Sequence, residues 1–191
     1  MTIGLFFGSF NPIHIGHLII ANYFAENGGL DQVWFVVSPH NPLKEKNTLL
    51  DEKHRYYMAN LAVEDNYKLR ASNIEFHLPR PSYTIDTLTY LHEKYPDNTF
   101  VLLMGSDNLL SIPKWKNYTL LLQHYPLYIY NRPGFEIQEL TFTGDIRFFD
   151  APQIYLSSTY IRQAIKQGFS VRYLVPDAVL KHIDEMHFYK K

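Results

Sequence analysis

Cysteine is absent from the 191 residues, and with it go disulfides, thiolate metal ligands and cysteine nucleophiles. An excess of charge is missing too: 18 Lys and Arg face 19 Asp and Glu, for a net charge of -1. A chain so balanced lacks the bulk positive field that holds a nucleic-acid backbone, so no nucleic-acid partner is expected; a local basic cluster for a small phosphate stays open. No apolar run approaches the roughly 20 residues that span a bilayer, so no membrane partner is expected either. The opening MTIGLFFGSF is apolar but short, without a charged leader or a small-residue cleavage site, and reads as a first core strand. A cytoplasmic location follows as the expectation.

What is present is enough for one core of ordinary size, so residues 1–191 are expected to form a single domain with a C-terminal helical portion from about residue 157. The 15 tyrosines and 13 phenylalanines favour a well-filled core and are equally compatible with ring-stacking pockets. Short apolar runs at Ile3 to Phe7, Val33 to Val37, Phe100 to Met104 and Leu127 to Tyr130 end in Gly, Ser, Pro or Asn, as buried strands do. Arg70 to Phe76 reads as a further strand. Helical patterns run over His17 to Asn27, closed by Gly28-Gly29, and over Asp51 to Val63, Thr84 to Tyr95, Ser158 to Gln167 and Asp177 to Met186. The stretch from Gly134 to Arg147 has the weakest pattern and reads as a surface excursion.

Strand and helix alternate over most of the chain. The fold class expected is therefore α/β, a Rossmann-like parallel sheet with helices on both faces and its ligand site beyond the carboxyl ends of the strands. The first strand empties into Gly8-Ser9-Phe10-Asn11-Pro12-Ile13-His14-Ile15-Gly16-His17 just before a helix. Backbone N–H groups and the positive dipole end at such a helix start welcome an anion. Gly8 permits close backbone approach, Ser9 adds a hydroxyl, and His14 and His17, three apart, project to one side. A plainer reading makes one histidine a cap and the other a packing residue. Zinc is the weaker reading, because no third ligand lies nearby in sequence.

A second helix start of the same kind is Ser157-Ser158-Thr159-Tyr160-Ile161-Arg162, with three hydroxyls and a permanently charged guanidinium one turn in. Lys44, after the second strand, offers a mobile charge. Gly105-Ser106-Asp107 follows a strand, so Asp107 can cap a helix or accept ribose hydroxyls.

His14-Ile15-Gly16-His17 resembles the HxGH signature of the nucleotidyltransferase superfamily, which also includes class I aminoacyl-tRNA synthetases, and Ser157 to Arg162 resembles the SSTxxR signature of its adenylyltransferases. With Pro81-Ser82-Tyr83-Thr84, Gly105-Ser106-Asp107, Pro113-Lys114-Trp115 and Arg132-Pro133-Gly134 in order between them, nearly the whole chain is similar to bacterial nicotinate-nucleotide adenylyltransferases. The resemblance implies joining of ATP and nicotinate mononucleotide with release of pyrophosphate, in NAD biosynthesis. It implies catalytic roles for His14, His17, Lys44 and Arg162. ATP contacts would come from Gly8, Ser9, Phe10, His14, His17, Gly105, Asp107, Arg132, Ser157, Ser158, Thr159 and Arg162. Substrate contacts would come from Asn11, Lys44, Ser82, Tyr83, Thr84, Trp115 and Lys116. Mg²⁺ would be held mainly by ATP phosphates and water, with no dedicated protein ligands.

The sequence departs from the family pattern at Phe7, where a second glycine is common, at Asn11 for aspartate, at Leu43 for histidine and at Lys116 for tyrosine. Adenylation of nicotinamide mononucleotide, adenylation of phosphopantetheine and non-catalytic sensing of a dinucleotide stay as alternatives. So does a homo-oligomeric state.

Overall fold

The structure is a computed structural model and describes residues 1–39, 49–132, 134–135 and 142–190. Its centre is a six-stranded sheet, wholly parallel, in the order β3-β2-β1-β4-β5-β6. The strands are β1 (Thr2–Gly8), β2 (Gln32–Val37), β3 (Leu69–Ser72), β4 (Thr99–Gly105), β5 (Leu127–Tyr130) and β6 (Ile146–Phe149). The order reverses between β1 and β4, the switch point where the loops leaving neighbouring strands diverge and open a crevice.

Strands β1, β2 and β4 are covered on both faces, which is why they read as continuous apolar runs. Alternation divides them: Phe6, Val33, Phe35, Val37, Val101 and Leu103 face one layer of helices, while Ile3, Leu5, Trp34, Val36, Leu102 and Met104 face the other. The first layer holds α1 (Ile15–Asn27), α2 (Glu52–Val63), α6 (Ser158–Lys166) and α7 (Asp177–Glu185). The second holds α3 (Thr84–Lys94), α4 (Ser106–Ser111) and α5 (Tyr118–His124). Among the described residues no helix is long and apolar enough to cross a membrane.

Three expectations are corrected, and two short helices are added. Helix α1 begins at Ile15 with His14 as its cap, two residues before the apolar pattern becomes visible. The strand anticipated over Arg70 to Phe76 stops at Ser72 and passes into a tight 3-10 turn at Ile74–His77. The stretch from Gly134 to Arg147 is not wholly an excursion, since it leads into β6 from Ile146. The short helices α4 and α5 follow β4 where no helical pattern was read.

Candidate active site

The crevice at the strand ends is a cavity of about 390 Å³. From the first loop and α1 it is lined by Gly8, Ser9, Phe10, Asn11, His14, Gly16 and His17, and from α6 by Ser157, Ser158, Thr159 and Arg162. Arg132 enters from beyond β5. No carboxylate stands among the described lining residues. Arginines, imidazoles and two helix starts therefore face the same space, an environment built for anions.

The loop is held from behind by its carbonyl groups. The Gly8 carbonyl accepts from the Ser38 amide at 2.9 Å. Arg55 Nη1 donates to Ser9 O at 2.6 Å, Arg162 Nη1 to Asn11 O at 2.9 Å, and Ser158 Oγ to Pro12 O at 2.9 Å. Phe10 adopts a positive φ of 45°, a conformation unusual for a bulky residue and tolerated where surrounding contacts over-determine it. Its ring is buried and lies edge-on to Phe6, Phe35 and His17. A side chain at Gly8 would place its Cβ 2.8 Å from that ring, so the close approach requires glycine.

His14 and His17 meet as the sequence spacing suggests, and they also carry the plainer roles weighed beside it. His14 occupies the N-cap position of α1, and its backbone N–H donates to His17 Nδ1 at 3.3 Å. That bond leaves the proton of a neutral His17 ring on Nε2. Burial, with a smaller push from the Arg132 charge, lowers His14 to about 4, so its ring is neutral at pH 7. The amides of this helix start are partly spent: Ile15 N–H donates to Leu174 O and His17 N–H to His14 O. What stays available to an anion here is the dipole, the remaining amides and the two imidazoles.

At α6 the hydroxyls divide their labour. Ser157 caps the helix, its Oγ accepting from the Tyr160 amide at 3.2 Å, and Ser158 ties α6 to the first loop. The Ser157 oxygen is thus engaged as a cap while its O–H can still donate, and the Ser158 O–H is spent on the first loop; all three hydroxyl residues line the cavity. Arg162 Nη2 leans on Thr159 Oγ1 at 3.3 Å, and its five N–H donors exceed the two bonds it makes here.

Gly105 and Asp107 border the cavity through Arg132. Arg132 Nη1 donates to Asp107 Oδ2 at 2.8 Å, and the Arg132 amide donates to the buried Ser106 hydroxyl at 2.9 Å. A Cβ on Gly105 would stand 2.5 Å from Asp107 Oδ1, which itself is buried without a hydrogen-bond partner. Lys44 lies outside the described residues.

Ser82, Tyr83, Thr84, Trp115 and Lys116 do not line the same cavity. They gather on the opposite layer, where Tyr83, Trp115 and Phe7 pack against one core cluster. Lys116 Nζ sits 4.8 Å from the centre of the Tyr83 ring and pairs with Asp86 at 2.7 Å. Tyr83 holds the N-cap position of α3 without a capping hydrogen bond from its side chain, so the first-turn amides lack that partner. Phe7, at the end of β1, touches both regions.

Three residues that sequence reading passed over organise these parts. Arg55 is fully buried, with donors to Leu50 O, Ser9 O, Ser38 O and Pro39 O. Its signal was present: Met58, Ala59 and Ala62 follow it at helical spacing, which puts a cation on the buried stripe of α2. Glu75, also buried, accepts from Thr87 Oγ1 at 2.9 Å. Burial pushes its carboxyl up, against the opposing influence of the Ser38, Thr87 and Ser82 hydroxyls. Tyr189 donates to Asn11 Oδ1 at 2.8 Å, a contact across the length of the chain with no local signal.

Residues 5–164 match the cytidylyltransferase-like family model. The chain is 52% identical to the "Probable nicotinate-nucleotide adenylyltransferase" of Flavobacterium psychrophilum and 51% identical to that of Flavobacterium johnsoniae, in both cases over 100% of each chain. Among solved structures, the Plasmodium falciparum nicotinic acid mononucleotide adenylyltransferase complexed with NaAD superposes with a TM-score of 0.84 at 21% identity, covering 98% of this chain and 97% of that one. That likeness supports the Rossmann-like nucleotidyltransferase fold. With identity above one half across whole chains, this chain belongs to the nicotinate-nucleotide adenylyltransferase family, within the cytidylyltransferase-like group.

Proposed function

We propose that the chain transfers the adenylyl group of ATP to nicotinate mononucleotide, giving nicotinate adenine dinucleotide and pyrophosphate in NAD biosynthesis, in the cytoplasm and as a single domain. The observation that carries this reading is the cavity at the β1/β4 switch, where His14, His17, Arg132 and Arg162 face one space with no carboxylate among its described lining residues. Whole-chain relatives named for this activity support it.

An oxygen of the mononucleotide phosphate attacks the α-phosphorus of ATP. A new P–O bond forms, the bond from the α-phosphorus to the bridging oxygen breaks, and its electron pair leaves with pyrophosphate. The attacking phosphate is already anionic at neutral pH, so no general base is needed, and catalysis consists of positioning and charge stabilisation. His17 donates from Nε2 as charge gathers on the leaving pyrophosphate. His14 serves as a neutral hydrogen-bonding group beside it. Arg162, anchored on Asn11 O, presents its remaining donors to phosphate, with Arg132 across the cavity and Lys44 as a further charge. Gly8, Ser9, Phe10 and the start of α6 shape the nucleotide side.

Among the described residues no three His, Asp or Glu converge as a metal cage. Mg²⁺ would arrive on the triphosphate and keep its waters. When bound, Mg²⁺ neutralises phosphate charge. On the pyridine side, Trp115 supplies a stacking surface, while amides at the start of α3, with Ser82, Tyr83 and Thr84, receive the carboxylate. Asn11 and Lys116 complete the substrate side.

Incubation with ATP, nicotinate mononucleotide and Mg²⁺ should release pyrophosphate and dinucleotide in equal amounts. Dinucleotide binding without pyrophosphate release would instead assign the cavity to sensing.

A further inference from the structure

Beyond α7 the backbone folds back on the body of the protein. His187 and Tyr189 take φ values of 55° and 64°, left-handed conformations that disfavour residues bearing a side chain. Two of this turn's contacts reach beyond α7. Phe188 packs edge-on against His54 of α2, ring centres 4.8 Å apart, and the Tyr189 hydroxyl donates to Asn11 Oδ1 at 2.8 Å. The same Asn11 oxygen faces the Leu50 amide at 3.4 Å, while the Asn11 carbonyl receives Arg162. Asn11 is thus gripped at two atoms, by the segment after α7 and by the arginine of α6.

An Asn side chain can exchange its oxygen and amide ends by rotation, and only its hydrogen-bond partners decide which end points where. Here the Leu50 amide, a donor only, requires the oxygen, and the Tyr189 hydroxyl donates to that same atom, so the amide end is fixed. Burial pushes the Tyr189 phenol above its usual range, with Arg162 and Arg55 pulling the other way, so it remains a donor at neutral pH.

We infer that Tyr189 is a positioning residue of the active site, acting through Asn11 to fix the loop between Ser9 and His14 that faces the triphosphate. The inference rests on the adenylyl-transfer reading and adds a residue distant in sequence from every motif of the site. The loop is clamped at Ser9 by Arg55 and at Pro12 by Ser158, and Asn11 lies between. Loss of the hydroxyl removes one of the bonds that set the Asn11 side chain in the middle of the span.

Tyr189→Phe keeps the ring and deletes only the donor. We expect kcat to fall about tenfold, KM for the mononucleotide to change less than about twofold, and the melting temperature to move by no more than about 3 °C. Asn11→Ala should lower kcat by at least as much, and the double variant should be no slower than the slower single. Wild-type kcat in Tyr189→Phe, or losses that multiply in the double variant, would overturn the inference. Absence of dinucleotide with the wild-type protein would instead overturn the reading beneath it. Amide NMR spectra of the nucleotide-free protein test the inference in either event: Tyr189→Phe should shift the Asn11 side-chain amide and the signals of residues 8 to 17, and an unchanged spectrum there refutes it.

Discussion

The imidazoles of His14 and His17 lie face to face, with ring centres 3.7 Å apart and planes 24° from parallel. Two stacked rings cannot both be charged without cost, so the neutrality of buried His14 is compatible with the donor role proposed for His17. His17→Ala should therefore lower kcat about a hundredfold, the usual consequence of removing a donor aimed at developing charge, while KM for ATP changes only a few-fold. Steady-state kinetics on the folded variant check this, and an unchanged kcat would remove His17 from the chemistry.

The His14 ring titrates near 4 because it is buried and near Arg132, whereas in the unfolded chain it titrates near its ordinary 6.5. Below 6.5 the unfolded chain takes up a proton that the native state refuses. The stability linked to the neutral ring is therefore complete above about 6.5 and is lost as pH falls toward 4. The gap corresponds to on the order of 3 kcal/mol. Urea unfolding at pH 7 and pH 4.5 should show wild type losing more stability on acidification than His14→Gln. Equal losses would place the acid sensitivity elsewhere.

Arg162 spans the Asn11 carbonyl and the Thr159 hydroxyl with two nitrogens of one planar group. A lysine there offers one point charge and cannot hold the loop and a phosphate at once. Arg162→Lys should lower kcat/KM for ATP roughly tenfold or more. Near-wild-type kinetics would mean that the guanidinium only braces the loop.

Arg55 satisfies four carbonyls in the interior. Arg55→Met would fill much of the space but leave those oxygens without donors, at a cost of about 3 kcal/mol or more. Chemical denaturation measures it, and a loss below about 1 kcal/mol would show that water or a shifted loop replaces the guanidinium.

The parts legible in the sequence were those with short-range signatures. Buried strands announced themselves as apolar runs because both faces are covered, and the loop from Gly8 to His17 and the start of α6 could be read from glycine, hydroxyl and histidine spacing. Strand β6 was missed because it is an edge strand, paired on one side only and with Arg147 and Phe148 exposed. Helices α4 and α5, six and seven residues long, are shorter than the window over which helical periodicity shows. The links that assemble the site were harder to read. Tyr189 to Asn11 and Ser158 to Pro12 join segments that no local pattern relates, and only the folded chain reveals that one hydroxyl of the α6 motif, that of Ser158, is spent in making the second.

Substrate choice is the most direct test of the account. Stacking on Trp115 is nearly indifferent to whether the pyridine bears a carboxylate or an amide, so Trp115→Ala should weaken both mononucleotides by something on the order of 1 kcal/mol. On the proposed reading, discrimination comes from backbone amides near Thr84 at the start of α3, which would satisfy carboxylate oxygens but oppose the N–H donors of a carboxamide. The deciding measurement is kcat/KM for nicotinate mononucleotide against nicotinamide mononucleotide, with ATP and Mg²⁺, on the wild-type protein. A clear preference for the acid is expected; equal efficiencies, or a preference for the amide, would overturn nicotinate mononucleotide as the substrate.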